Sequence, residues 1–116
     1  MSDAGAVVKA KIRRDLLSAA KARRSDETRL LRVLLGAFDN AEAVPVGRAH
    51  ERYKARMFGD PSVEVPRRVL DEDAVRALLL SEQSERIAAA KEFDALGRAD
   101  EARRLESEAA LIGRYL

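Results

Sequence analysis

Proline is confined to one part of this 116-residue chain, where Pro45, Pro61 and Pro66 lie close to Gly47 and Gly59. Proline interrupts helices because it has no amide hydrogen and its ring clashes with the preceding turn. On both sides of residues 44–70, apolar residues recur at the three-and-four spacing of an amphipathic helix. The sequence therefore predicts two helical stretches joined by an irregular connector over 44–70, within a single domain that spans residues 1–116.

The first stretch predicts two helices, over residues 6–22 and 26–43. Val8, Ile12, Leu16 and Ala19 form an apolar stripe on the first helix, and Ser25 is expected to be the N-cap of the second. Residues 30–38 are apolar on nearly every face, so the second helix is expected to be buried all round. Arg32 is the one charge in that run. Two interpretations stay open for it: a buried head with a carboxylate partner, or a stem on apolar surface with its head in water.

The second stretch predicts a helix that starts at the N-cap Asp71 and ends near Leu96, with Gly97 as its stop. A fourth helix is expected over 99–116, its packing seam formed by Ala102, Leu105, Ala109, Ile112 and Leu116. Residues 48–58 (RAHERYKARMF) favour a short helix within the connector. The expected fold class is all-α: an antiparallel bundle of two helical hairpins with a long, partly helical connector.

Composition excludes several kinds of chemistry. The chain has no Cys and a single His, His50, so disulfides, thiolate nucleophiles and Cys- or His-based metal centres are not expected. No glycine-rich phosphate loop or serine-nucleophile motif is present. We therefore expect no cofactor, no metal and no activity of the chain acting alone. The N-terminus lacks the apolar core of a signal peptide and no apolar run reaches a membrane span, which predicts a cytoplasmic protein without a membrane partner.

A polar cluster is the remaining candidate for a site within the bundle. Arg32, Glu82 and Arg86 would form one if their side chains converged on a concave surface. The simpler interpretation of Glu82 and Arg86 is a helix-stabilising pair at i,i+4.

Charge divides the chain into a basic and an acidic half. Residues 1–58 carry 13 Lys+Arg against 7 Asp+Glu, whereas residues 59–116 carry 9 against 13. Either the basic half binds an anionic partner, or the two halves attract each other within the fold. Cations interleaved with the aromatic residues Tyr53 and Phe58 are typical of an RNA surface. The candidate RNA-binding residues are Lys11, Arg14, Lys21, Arg23, Arg24, Arg29, Arg52 and Lys54, and Lys9 and Arg13 lie in the same basic cluster.

Short motifs along the chain resemble the GatB/YqeY family in their order and spacing. They are Ala20-Lys21-Ala22-Arg23, residues 29–35 (RLLRVLL), Asn40-Ala41-Glu42, residues 70–75 (LDEDAV), Ala89-Ala90 through Phe93, Leu96-Gly97-Arg98, Ala102, Glu106, Glu108 and Tyr115-Leu116. The resemblance spans nearly the whole chain except residues 44–69. The connector is longer than is usual in the family, and family members commonly continue past the Tyr-Leu pair with a second, smaller helical domain.

The resemblance implies an all-helical domain related to the tail of the B subunit of tRNA-dependent amidotransferases. Those enzymes convert Glu-tRNA or Asp-tRNA to the amide with glutamine as amide donor, a carbon–nitrogen ligase activity whose chemistry lies in other domains. It therefore implies a non-catalytic module that binds tRNA or a tRNA-handling enzyme. The alternative is a protein–protein adaptor or homodimer without a nucleic-acid role, which would use exposed apolar helix faces at Leu111 and Tyr115.

Overall fold

The computed structural model describes residues 3–43 and 67–116, and this part of the chain is built from four helices. They are α1 (Ala4–Lys21), α2 (Ser25–Glu42), α3 (Glu72–Ala95) and α4 (Ala99–Gly113). Helices α1 and α2 form one hairpin, and α3 and α4 form the other. The predicted all-α class with two hairpins is confirmed. The short helix predicted over 48–58 lies outside the described residues.

Each hairpin closes on a residue with left-handed backbone. Between α3 and α4, Gly97 has a φ of 76°, and the amide of Arg98 donates to the carbonyl of Phe93 over 2.8 Å. Between α1 and α2, Arg23 has a φ of 60°, and the amide that follows it donates to the carbonyl of Ala19 over 2.9 Å. Both turns are Schellman motifs. The predicted stop at Gly97 is confirmed, and an arginine occupies the same position in the first hairpin.

The predicted N-cap of α2 is wrong. Ser25 is the first residue of the helix, and Arg24 occupies the cap without a side-chain hydrogen bond to the helix amides. The Schellman motif leaves a single residue between the left-handed position and α2, so Ser25 is already helical. By contrast, the predicted cap of α3 is confirmed, since Asp71 Oδ1 accepts from the amide of Ala74 over 2.8 Å.

A six-residue motif, Arg-x-Asp-Glu-x-Arg, follows both turns, at residues 24–29 and 98–103. In each copy the first arginine pairs with the glutamate and the second pairs with the aspartate, both at i,i+3 spacing. The pairs are Arg24–Glu27 (3.3 Å) and Arg29–Asp26 (3.8 Å) in the first copy, and Arg98–Glu101 (2.7 Å) and Arg103–Asp100 (2.6 Å) in the second. The two hairpins therefore share the design of their turns.

The hydrophobic core joins the first hairpin to the open end of the second. Ile12 of α1 and Leu31, Leu34 and Phe38 of α2 are fully buried, and Leu79 of α3 and Ile112 of α4 are buried in the same cluster. Towards the α3–α4 turn, the buried residues of the second hairpin are small, Ala90 and Ala102. The large apolar side chains of α3 and α4 thus converge at one end of that hairpin.

Helix α2 is not buried all round as the sequence predicts. Its face towards α1 and the second hairpin is buried, but Val33 is 48% exposed and Arg32 beside it is exposed. No other helix covers this face in the described part of the chain, which resolves the two interpretations of Arg32 in favour of a head group in water. The fourth helix also differs from its prediction, because it ends at Gly113 and Arg114 to Leu116 continue as tighter i,i+3 turns.

A buried ion pair connects the start of α1 to the end of α2. Lys9 donates to Glu42, and their side chains are only 7% and 6% exposed. The ammonium group also lies 3.4 Å from a carboxylate oxygen of Asp39. Beside this pair, Ala43 forms an isolated β-bridge with Arg67. The ion pair therefore stabilises the hairpin next to Ala43 and Arg67, the described residues on either side of 44–66.

Two glycines offer a matched test of the left-handed turn. We expect Gly97→Ala to destabilise the protein by about 1 kcal/mol, because alanine disfavours positive φ. Added Cβ atoms meet nothing within 4 Å at Gly97 or at Gly36 in α2, so Gly36→Ala is a control without steric cost. It should instead stabilise the helix by about 0.5–1 kcal/mol. Urea unfolding measures both, and destabilisation by the two changes alike would contradict the assignment.

A second stability test concerns the buried ion pair. We expect Lys9→Met to lower the free energy of unfolding by about 3–5 kcal/mol, because it leaves the Glu42 carboxylate buried without a counter-charge. The double variant with Glu42→Leu should recover most of that loss, since two apolar side chains replace the pair. Equal unfolding free energies for the single and double variants would show that the unpaired carboxylate is not the cause.

Candidate nucleic-acid interface

One face of α1 carries three of the predicted RNA-binding cations. Lys11, Arg14 and Lys21 recur at spacings of three and seven, and all are exposed, Arg14 to 74% of its side chain. Lys11 and Lys21 have no carboxylate within 4 Å among the described residues. Because the spacing follows the helical repeat, the three charges project from the same side of the hairpin.

The α1–α2 turn adds further arginines to this surface. Arg23, Arg24 and Arg29 are all exposed, but two of them are held by the carboxylates of the turn motif. In the part of the chain that the structure describes, Arg23 and Arg32 have no such partner within 4 Å. Together with Arg29 they line a shallow depression, which is completed by Ala20, Ser25, Thr28 and Val33.

Three of the cations that the sequence grouped together are not on the described surface. Arg52 and Lys54 lie outside the described residues. Lys9 is buried against Glu42, so its charge does not contribute to the exposed basic face. Lys9 is buried because α1 and α2 are antiparallel and the chain turns near residues 23–24. Position 9 of α1 therefore lies opposite the end of α2, where Glu42 is.

The second hairpin uses several of its cations internally. Arg86 donates from Nε to Glu108 over 3.0 Å and lies 3.8 Å from Glu82, and Arg104 lies 3.8 Å from the other oxygen of Glu108. The arginines of its turn motif are paired as well. Among the described residues of α3 and α4, Arg76 and Lys91 are exposed and have no carboxylate within 4 Å, so the second hairpin pairs most of its cations but not all.

Of the predicted polar cluster, the structure brings two members together. Glu82 and Arg86 meet at the α3–α4 interface with Glu108, and the neighbouring Gln83 donates from its side-chain amide to the carbonyl of Ala109 over 3.1 Å. The polar run in the middle of α3 is therefore a hydrogen-bonded seam between the two helices. Arg32 is not part of it, since it lines the depression beside the α1–α2 turn.

The ion pairs do not hold the two hairpins together. Each ion pair between described residues lies within one hairpin, on either the α1–α2 or the α3–α4 side. Among these residues the side-chain hydrogen bond between the hairpins runs from the hydroxyl of Tyr115 to Asp15, over 2.5 Å. In the described residues, the basic and acidic halves of the chain are therefore not held together by ion pairs between them.

Tyr115 restrains the acidic residue nearest to the basic face of α1. Burial, followed by the hydrogen bond and negative charge of Asp15, raises the pKa of the Tyr115 phenol from 10.0 to about 12. The same carboxylate lies 4.0 Å from Arg14. Asp15 thus accepts from Tyr115 through Oδ2, while its Oδ1 lies 4.0 Å from the exposed guanidinium of Arg14.

The apolar faces expected at Leu111 and Tyr115 are not free. Both side chains are partly buried and pack against the core, because the last turns of α4 lie at the junction of the two hairpins. The larger exposed apolar side chains are elsewhere, for example Leu17 at 58% and Val33 at 48%. The predicted surface for an adaptor or homodimer is therefore corrected at these two positions.

Metal-binding clusters and membrane-spanning helices are absent from the described residues. No group of three or more His, Asp or Glu side chains in this part is arranged to hold a metal ion. None of its helices is both long and apolar enough to cross a membrane. Comparison with known proteins finds no family model, curated protein or solved structure that matches the chain. The resemblance to the GatB/YqeY family therefore stays a prediction.

The contact between Tyr115 and Asp15 predicts a pH dependence of stability. Since the folded-state pKa of the phenol is raised, its contribution is complete below pH 10 and is lost between pH 10 and about 12. For this partly exposed group we expect a loss of about 1 kcal/mol. Unfolding free energies of wild type and Tyr115→Phe, measured from pH 9 to 12, should differ less as the pH rises. A constant difference would contradict this assignment.

Proposed function

We propose that the chain is a non-catalytic RNA-binding module whose α1–α2 hairpin contacts the phosphate backbone of tRNA. The observation that carries the proposal is the unequal use of charge by the two hairpins. Five of the nine cations in residues 3–43 have no carboxylate within 4 Å among the described residues: Lys11, Arg13, Lys21, Arg23 and Arg32. In residues 72–113, four of the six cations are paired, and Arg76 and Lys91 are not. Unpaired cations keep their full attraction for phosphates, and they release condensed counterions from the RNA on binding.

The arrangement favours contacts with the backbone rather than with bases. The described cations lie on the exposed faces of two helices, and among the described residues no exposed aromatic ring is present on which a base could stack. Such contacts position a nucleic acid without selecting its sequence. Binding should therefore tolerate changes of RNA sequence and weaken steeply with salt.

The choice of tRNA over other RNAs rests on the resemblance to the GatB/YqeY family. That resemblance associates the chain with glutamine-dependent carbon–nitrogen ligases, and in our proposal the chain acts as a module that holds tRNA for such chemistry without performing it. The related proposal, binding to a tRNA-handling enzyme, uses the same surface with an acidic protein as the partner. A direct measurement of RNA binding separates the two.

The test neutralises two cations of α1. We expect Lys11→Gln combined with Lys21→Gln to weaken tRNA binding and to reduce the slope of log K against log [salt] by about 2, one for each lost phosphate contact. Fluorescence anisotropy with labelled tRNA over a salt series measures both quantities. The two side chains are exposed and have no partner in the described structure, so circular dichroism and the melting temperature should not change.

The matched control removes the same charge from the second hairpin. Lys91→Gln in α3 combined with Arg98→Gln at the α3–α4 turn also lowers the net charge by two, at exposed positions. It should leave the affinity and the salt slope close to wild type. If both double variants lost the same affinity for tRNA, the effect would be explained by net charge alone. If wild type showed no salt-dependent binding to tRNA, the proposal would be refuted. A dimer by light scattering that binds no RNA would favour the adaptor or homodimer instead.

A further inference from the structure

Arg23 adopts a backbone conformation that its own side chain disfavours. Its φ of 60° places it in the left-handed region, which costs a non-glycine residue free energy because Cβ crowds the following carbonyl. The equivalent position in the second hairpin is Gly97, which carries no such cost. The turn thus folds equally well without a side chain at this position. Among described residues the Arg23 guanidinium forms no ion pair, so the fold gives no reason for an arginine there.

The duplicated turn motif shows what distinguishes the first hairpin. The two copies share their arginine, aspartate and glutamate positions and their ion pairs, but apart from Arg29, which is matched by Arg103, they differ at the residues that line the depression. Where the first copy has Arg23, Ser25, Thr28 and Arg32, the second has Gly97, Ala99, Ala102 and Glu106. The second hairpin therefore has the same turn without the equivalents of Arg23 and Arg32 and without the hydroxyl groups of Ser25 and Thr28, while Arg29 is matched by Arg103. Comparison of the two turns thus indicates that the turn itself does not require Arg23, Ser25, Thr28 or Arg32.

We infer that the depression beside the α1–α2 turn is a phosphate-binding site formed by Arg23, Arg29, Arg32 and the hydroxyl of Ser25. Guanidinium groups match phosphate oxygens through paired N–H donors. Arg23 and Arg32 are exposed on its walls without carboxylate partners among the described residues, and Arg29 is held only loosely, 3.8 Å from Asp26. The hydroxyl of Thr28 already donates to the carbonyl of Arg24, so Ser25 provides the hydroxyl donor. The inference rests on the proposed function, in which this site fixes one backbone phosphate of the RNA.

Arg23→Gly separates a ligand contact from a structural role, because we expect it to raise the melting temperature while it lowers the affinity for tRNA. Loss of a structural contact would lower both. The variant removes the left-handed strain, so we expect a melting temperature a few degrees higher, about 4 °C. It also removes one phosphate contact, so we expect tRNA affinity to fall several-fold and the salt slope to decrease by about 1. Arg32→Gln, which lies outside the turn, should weaken binding similarly with an unchanged melting temperature.

Inorganic phosphate is the second probe, and Lys91→Gln in α3 is the control for the loss of one charge. We expect phosphate to shift the amide resonances of residues 23–33 in an NMR titration of wild type, to shift them less in Arg23→Gly, and to act on the Lys91→Gln variant as on wild type. If tRNA binds but Arg23→Gly and Arg32→Gln match the control, the site is refuted and the proposed function stands. If phosphate titrates the depression but tRNA does not bind, the site stands and the proposed function is refuted.

Discussion

The packing of Leu79 and Ile112 against α1 and α2 is the interaction on which the rest of the structure depends. These side chains bring α3 and α4 onto the apolar face formed by Ile12, Leu31 and Phe38. The other buried residues towards the turn of the second hairpin are alanines, which let α3 and α4 approach closely but add little apolar area. The hairpins are therefore joined at one end of the second, and no other helix of the described residues covers the opposite face of the first.

This face of the first hairpin, which no other described helix covers, explains why the two hairpins differ in how many of their cations have carboxylate partners. The polar middle of α3 lies at a helix interface, so Arg86 needs Glu82 and Glu108 beside it, because an unpaired cation there would be costly. Lys11 and Lys21 are exposed, so neither needs a partner to be stable, although Lys11 borders a depression that Glu72 and Asp73 of α3 also line. In the described part of the chain, α1 and α2 thus carry more cations without a carboxylate partner than α3 and α4 do. The difference arises from packing, since both hairpins are rich in arginine.

Most of the fold could be predicted from the sequence, because helical periodicity and strong breakers determine it. The Asp71 cap and the Gly97 stop are local signals, and both are confirmed. The pairing of Lys9 with Glu42 is a tertiary contact that only the hairpin register reveals. The left-handed Arg23 had no residue-type signal, since glycine is the usual marker of that conformation. It becomes visible when the two copies of the turn motif are aligned with each other.

The candidate site could be predicted only in part, for a related reason. Exposed charges follow from helix geometry, so the α1 cations were accessible to sequence reasoning. Whether an arginine has a carboxylate partner depends on the side chains three residues away and on those of neighbouring helices. Arg24 is paired with Glu27 for that reason, whereas Arg32 has no such partner among the described residues. The depression is lined by residues of α1, α2 and the turn between them. The sequence does not predict it because the left-handed backbone of Arg23 in that turn has no residue-type signal.

The bridge between Ala43 and Arg67, reinforced by the amide of Arg68 donating to the carbonyl of Glu42 over 2.8 Å, has a consequence for how such a chain can change in length. The two ends of residues 44–66 are fixed side by side, so the path between them is closed by the bundle itself. Doubling or halving a closed segment alters its closure entropy by only about 0.6 kcal/mol. Because the bridge and the core hold α2 and α3 on either side of that segment, we expect insertions and deletions between Ala43 and Arg67 to leave the registers of both helices unchanged.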